Sequence, residues 1–158
     1  MDGWRDGMTA LGKKLPEDVQ EVPDRGDKNH EFETPEYEAA MEVFYKRHFS
    51  LARPWPAKEV QVAMDRLGGD PTTYGPSELY ISGSLRDWTC IPMLKHIKAP
   101  TLLINGTDDE AQDVAMQPFF DHIEKVKWIT LENAAHFSHV DQREVYMKHL
   151  RYFLSVEV

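Results

Sequence analysis

The chain has little cysteine and no long apolar run, and each shortage excludes a class of protein. Cys90 is the only cysteine, which rules out an internal disulfide or a metal cage built from several thiolates. No run approaches the roughly eighteen apolar residues of a membrane-spanning helix. Charged residues interrupt the first fifteen positions, so no apolar signal core lies there. These shortages predict a cytoplasmic protein without a membrane partner.

Basic residues are scarce relative to acidic ones. Lysine and arginine number 18 against 27 aspartates and glutamates, which gives a formal net charge of −9. An acidic protein is repelled by nucleic acid and by anionic membranes, because both carry negative charge. We therefore expect neither as a partner.

Charge and proline divide the chain into two unequal parts, residues 1–92 and residues 93–158. The first part is charged, aromatic and interrupted by prolines, and it shows no strand core. Thr34 is a good N-cap there, and Pro35 suits the first helical position because its missing N–H is not needed. The helix after it should bury one face, whose members recur with helical spacing: Tyr37, Ala40, Met41, Phe44 and His48.

The rest of the first part shows weaker helical patterns. Residues 3–14 and 56–67 have the composition of helices. Residues 16–33 contain two prolines and many charges, which predicts a loop with one short helical turn.

The second part alternates strand and helix. Residues 99–105 form a short apolar run that fits a strand buried on both faces, and residues 126–132 fit a second strand. Residues 113–125 have a helical pattern, and a last helix is expected from Asp141 to about Ser155. A strand–helix–strand unit crosses over right-handed and places its two strands parallel.

Functional residues are expected where these two strands end. In an open parallel sheet, ligands bind beyond the carboxyl ends of the strands. Asp109 follows the first strand and His136 follows the second, so their side chains could meet. An aspartate that accepts a hydrogen bond from an imidazole prepares that imidazole to act as a general base.

Two metal sites compete with this interpretation. His136, His139 and Asp141 form an H-x-x-H-x-D pattern, which could hold a metal ion but lacks a further clear ligand. The acid cluster from Asp108 to Asp113 lacks the regular spacing and central glycine of a calcium loop. We therefore expect no metal.

Three stretches resemble one family of enzymes. They are "PTLLINGTDDEA" (100–111), "AAHFSHVDQREVYMKHLRYFL" (134–154) and "YGPSELYISGSLRDW" (74–88). Together they resemble the α/β-hydrolase superfamily and, more narrowly, the proline iminopeptidase-like serine aminopeptidases. The resemblance implies an α/β fold: a helical cap over residues 1–92, then the terminal strand–helix–strand–helix units of the parallel hydrolase core over residues 93–158.

The resemblance also implies roles for four residues. Asp109 matches the family's catalytic acid, with Asp108 as an exposed neighbour, and His136 matches its general base. Glu78 and Glu110 match the two glutamates that hold the free amino terminus of the substrate. The implied substrate is a small peptide or amino-acid amide with an unblocked N-terminus, and no cofactor is implied.

The family's nucleophile motif is not found in this sequence. No G-x-S-x-G occurs, and in the family that motif and the oxyanion loop precede the cap. The resemblance therefore implies part of a serine hydrolase that releases proline-like N-terminal residues. Such a part would be inactive alone. It would be either a fragment of a longer gene product or a chain completed by a partner that supplies the missing N-terminal half.

Two other functions remain open. The chain could be a non-catalytic binding or regulatory protein that uses Glu78 and Glu110 to hold a cationic amine. It could also be a lipase-like or epoxide-hydrolase-like relative, although these lack the paired glutamates.

Overall fold

The computed structural model describes residues 2–67, 72–75, 79 and 81–155. Helices and strands follow one another in this part of the chain in the order α1 (Asp2–Gly12), α2 (Glu17–Asn29), α3 (Pro35–His48), α4 (Lys58–Leu67), α5 (Ile91–Leu94), β1 (Thr101–Gly106), α6 (Asp113–His122), β2 (Val126–Leu131), α7 (Ser138–Asp141) and α8 (Arg143–Ser155). Within those residues, none of the helices combines the length and apolar character needed to cross a membrane.

Helix α3 forms as the sequence predicts. The hydroxyl of Thr34 accepts a hydrogen bond from the backbone N–H of Tyr37 at 3.2 Å, which satisfies a donor that the first turn leaves open. The five residues of the predicted face are all buried. Four of them, all except His48, lie with Leu15 and with residues of α1 and α2 in an apolar core. The buried members of this core are Met8, Leu11, Leu15, Val22, Tyr37, Ala40, Met41 and Phe44.

The prediction of a loop over residues 16–33 is wrong. Helix α2 spans 13 residues there, with Pro23 inside it. Val22 is buried in the core, and Gly26 lies against the ring of Tyr37, where a Cβ atom would collide with the ring carbons. Packing against α3 therefore outweighs the low helix propensity of proline and glycine.

The strands confirm the predicted alternation and differ from it in burial. β1 and β2 pair in parallel, with Thr101 opposite Val126 and Gly106 opposite Leu131. The prediction that β1 is buried on both faces is wrong, because Leu102, Leu103 and Ile104 are only half-buried. In the described part of the chain, β2 is the only strand beside β1, so the apolar side chains of β1 open into a groove instead of a closed core.

The ends of several elements also differ from the prediction. Helix α6 stops at His122, three residues early. The last helix begins at Arg143 and is preceded by a separate short helix, Ser138–Asp141.

Candidate active site

Two loops meet at the carboxyl ends of the parallel strands. The acid loop follows β1 and contains residues 107–112, and the base loop follows β2 and contains residues 132–137. They touch because β1 ends in Gly106, where any Cβ atom would collide with the carbonyl of Ala134. That same carbonyl accepts the backbone N–H of Asp108 at 3.0 Å. Glycine at position 106 therefore permits the close approach on which the site depends.

Asp109 is a buried carboxylate with several hydrogen-bond donors. It is 3% exposed. Its Oδ2 accepts the backbone N–H of Gly106 at 3.1 Å, and its Oδ1 accepts that of Ala111 at 2.7 Å. Charge-assisted bonds of this kind offset the cost of removing a carboxylate from water. Asp108, by contrast, is exposed, and its carboxylate accepts the hydroxyl of Thr107.

The imidazole of His136 lies between two carboxylates. Its Nδ1 is 2.9 Å from Oδ1 of Asp109, and its Nε2 is 3.8 Å from Oε1 of Glu110. Glu110 is buried, with 2% of its surface exposed. An ionised carboxylate can only accept hydrogen bonds, so the contact with Asp109 places the imidazole proton on Nδ1.

Aromatic rings hold the plane of His136. The ring of Phe49 stacks on it with centroids 6.0 Å apart, and the indole of Trp4 meets it edge-on at 6.4 Å. Trp4 lies on α1, which packs close to the start of α6 because Gly3 lies directly against the backbone of Val114. Residues of the first part of the chain therefore orient a side chain of the second.

His48, the last residue of α3, is the second histidine of the site and, unlike His136, it is buried. Its Nδ1 is 2.8 Å from the carbonyl oxygen of Asp108. A carbonyl can only accept, so Nδ1 is the donor. Burial lowers the pKa of His48 below its ordinary value of 6.5, which favours the neutral ring.

Among the described residues, no group of three or more His, Cys, Asp or Glu side chains is placed to hold a metal ion, and the alternative set of His136, His139 and Asp141 is therefore not assembled. His139 instead packs its ring against Phe137 and Tyr146. The carboxylate of Asp141 is occupied by four protein donors: the hydroxyl of Ser50 and the backbone N–H groups of Leu51, Ala52 and Ala135.

Asn105 is a further site residue, and sequence reasoning missed it. It is 1% exposed inside the apolar strand β1. Its carbonyl oxygen accepts Trp128 Nε1 and Thr130 Oγ1 from β2, each at 2.9 Å. Its amide donates to the carboxylate of Asp113 at 3.1 Å. The sequence signal for Asn105 was a polar residue in an otherwise apolar strand. Because a buried amide needs hydrogen-bond partners, that signal predicts polar neighbours around it.

The structure thus gathers three of the four residues predicted for the site. Asp109, Glu110 and His136 lie together, whereas Glu78 lies outside the described residues. The catalytic and binding roles of all four remain predictions, and so does the division into residues 1–92 and 93–158.

Nearly the whole of this chain matches about half the length of several known proteins. No family model matches the sequence. A curated proline iminopeptidase of Lactobacillus crispatus is 30% identical over 152 residues, which are 96% of this chain and 52% of that protein. The crystal structure of VinJ matches with a TM-score of 0.89 and 33% identity, covering 98% of this chain and 53% of that one. The crystal structure of a Mycobacterium smegmatis proline iminopeptidase matches with a TM-score of 0.81 and 31% identity, over 96% and 52%.

These matches define the class of the chain: its fold is that of the α/β hydrolases. Within that class, it is related to the C-terminal half of proline iminopeptidases. The predicted resemblance and the predicted fold class are both confirmed. The chain spans about half the length of the curated relatives that it matches.

Proposed function

We propose that this chain is the acid–base half of a serine hydrolase that removes N-terminal, proline-like residues from small peptides or amides. The observation that carries the proposal is the buried carboxylate of Asp109, 2.9 Å from Nδ1 of His136. In this arrangement the carboxylate fixes the tautomer and stabilises the imidazolium, while Nε2 takes the proton of a nucleophile. Asp109 is the acid and His136 the general base of the proposal.

The position of Glu110 supports an aminopeptidase over other hydrolases. In an N-terminal residue, one Cα separates the amine from the scissile carbonyl, so the two groups are only about 2.5 Å apart. An anchor for the ammonium group must therefore lie beside the catalytic base. Oε1 of Glu110 lies 3.8 Å from Nε2 of His136. Glu110 binds the ammonium in the proposal, and Glu78 is its second carboxylate partner.

A second polypeptide segment supplies the nucleophile in the proposal. The sequence has no G-x-S-x-G, and without a nucleophile the acyl-enzyme route is closed. The chain alone should then show no turnover.

An apolar groove beside β1 is where the N-terminal half of the hydrolase would dock. The groove measures about 410 Å³. Its lining residues come from β1, α6 and α8: Leu102, Leu103, Ile104, Met116, Tyr146, Leu150, Phe153 and Leu154. A strand with an open edge and an apolar face accepts a further strand.

Reconstitution tests the proposal. The chain is mixed with the N-terminal half of the Lactobacillus crispatus proline iminopeptidase, assembly is checked by size-exclusion chromatography, and hydrolysis of L-proline p-nitroanilide is followed. We expect turnover from the assembled halves and none from this chain alone. His136→Ala should reduce the turnover by at least about 10³-fold, whereas His139→Ala, at an exposed histidine, should retain it.

Two results would contradict the proposal. One is equal turnover of His136→Ala and His139→Ala in assembled complexes. The other is turnover by this chain alone that matches the reconstituted pair.

A non-catalytic amine-binding protein is the second candidate, and the burial of the Glu110 carboxylate favours it. Such a carboxylate can hold a cationic amine whether or not chemistry follows. Calorimetry with L-prolinamide and this chain alone tests this function. If no heat of binding is detected at millimolar L-prolinamide, this function is excluded.

A further inference from the structure

The carbonyl of His48 joins the two loops of the site. His48 is the last residue of α3, where helix carbonyls lack partners within the helix. Its carbonyl oxygen accepts the backbone N–H of Glu110 at 3.3 Å and that of His136 at 3.1 Å. This one carbonyl oxygen therefore holds the backbone of two site residues. They are Glu110, which follows the proposed acid, and His136, which is the proposed base.

The side chain of His48 adds a third contact from the same residue. Its Nδ1–H donates to the carbonyl of Asp108 at 2.8 Å, directly before Asp109 in the acid loop. The ring is buried, and its centroid lies 5.0 Å from that of Phe44 in the core. A side chain anchored in the core is a rigid reference point for a loop, because its rotamer is fixed by packing.

The residues after His48 continue this connection. The carbonyl of Phe49 accepts the N–H of Phe137 at 2.8 Å, and the ring of Phe49 stacks on His136. The segment 48–52 thus runs between the acid loop and the base loop and bonds to both.

We propose that His48 is a positioning residue for the Asp109–His136 pair, which holds the acid loop at the distance that the 2.9 Å contact requires. This inference rests on the proposed function, because it gives a positioning role toward that same pair. His48 does not touch the reacting atoms in this account, and it acts through the backbone of Asp108, Glu110 and His136.

Asparagine and leucine substitutions separate positioning from simple packing. His48→Asn keeps a donor near the place of Nδ1, because the asparagine amide reaches about as far as that ring atom. His48→Leu has a similar size and no donor. In both variants, long-range ¹H–¹⁵N correlation spectra give the tautomer of His136, and hydrogen exchange gives the protection of the Glu110 and His136 amides. Neither measurement requires turnover, so failure of this inference and failure of the proposed function are distinguishable.

We expect the wild type and His48→Asn to hold the Nδ1–H tautomer of His136 and to protect both amides. His48→Leu should mix the tautomers and speed exchange of both amides at least about tenfold. Urea titration shows whether His48→Leu folds. If it does not, His48→Asp takes its place, since aspartate has the size of asparagine and no donor at neutral pH. The inference is overturned if the variant without a donor matches the wild type. It is also overturned if His48→Asn loses the Nδ1–H tautomer of His136 to the same extent as the variant without a donor.

Discussion

The carboxylate of Asp141 accepts a hydrogen bond from the hydroxyl of Ser50 at 2.6 Å, across 91 positions of sequence. The same carboxylate accepts three backbone N–H groups from both sides of the site. It therefore ties the segment after α3 to the loop that carries His136. The pattern H-x-x-H-x-D left a metal site open as an alternative, whereas the carboxylate of Asp141 accepts one hydroxyl and three backbone donors.

Removal of the Asp141 carboxylate should destabilise the fold. Asp141→Ala leaves three partly buried N–H groups and one hydroxyl without their acceptor, and we expect a loss of about 2–4 kcal/mol in the free energy of unfolding. Urea titration measures the loss. Glu144→Gln, at an exposed acid in the same region, should change it by less than about 0.5 kcal/mol. A loss as small for Asp141→Ala would contradict this role.

The burial of His48 should make stability depend on pH. Its pKa is lowered in the folded chain, chiefly by burial, with Arg47 and Lys14 acting in the same direction and Asp108 opposing them. The unfolded chain therefore binds the proton more readily, and the free energy of unfolding falls as the pH drops below about 6.5. His48→Asn should remove that part of the fall between about pH 7.5 and pH 5.5. Equal slopes for the two proteins would show that His48 does not cause it.

Substitution in the groove should weaken assembly with the N-terminal half. Leu150 lines the groove, and Leu150→Glu would bury an unpaired charge there, which costs several kcal/mol. We expect affinity for the N-terminal half of a proline iminopeptidase to fall at least about tenfold by calorimetry. Val145 lies on the same helix, is 42% exposed and does not line the groove. Equal binding by Leu150→Glu and Val145→Glu would place the docking surface elsewhere.

Neutralisation of Glu110 should weaken amine binding. A hydrogen bond between charged groups contributes about 1.5–3 kcal/mol, so Glu110→Gln should bind L-prolinamide roughly 10- to 100-fold more weakly than the wild type in the reconstituted pair. Glu132→Gln removes the same charge from an exposed position and should leave binding unchanged. If the two variants lose affinity equally, general electrostatic attraction explains the binding and Glu110 is not the anchor.

Local patterns predicted the parts of the fold whose causes are local. The cap at Thr34, the face from Tyr37 to His48 and the parallel strands all follow from residue spacing. Residue spacing did not predict helix α2. Val22 and Gly26 pack against α3, and these contacts join residues too far apart in sequence for a local pattern to show them. Tertiary packing overrode the signal of Pro23 there.

The candidate site divides in the same way. Asp109 and His136 follow strands, so the topology of a parallel sheet brings them to one edge. His48 and Asp141 act mainly through backbone groups far away in sequence, and Asn105 acts through side chains of β2 and of Asp113. No spacing rule connects a helix end at position 48 to loops at 108 and 136. The residues that hold the site together were therefore harder to predict than those expected to do chemistry.

The tautomer of His136 tests the central claim most directly. In the wild type, long-range ¹H–¹⁵N spectra at neutral pH should place the proton on Nδ1, donated to Asp109. Asp109→Asn should lose that preference, whereas Asp108→Asn, one residue away and exposed, should keep it. A proton on Nε2 in the wild type, or the same tautomer in Asp109→Asn as in Asp108→Asn, would contradict an acid–base pair at this site.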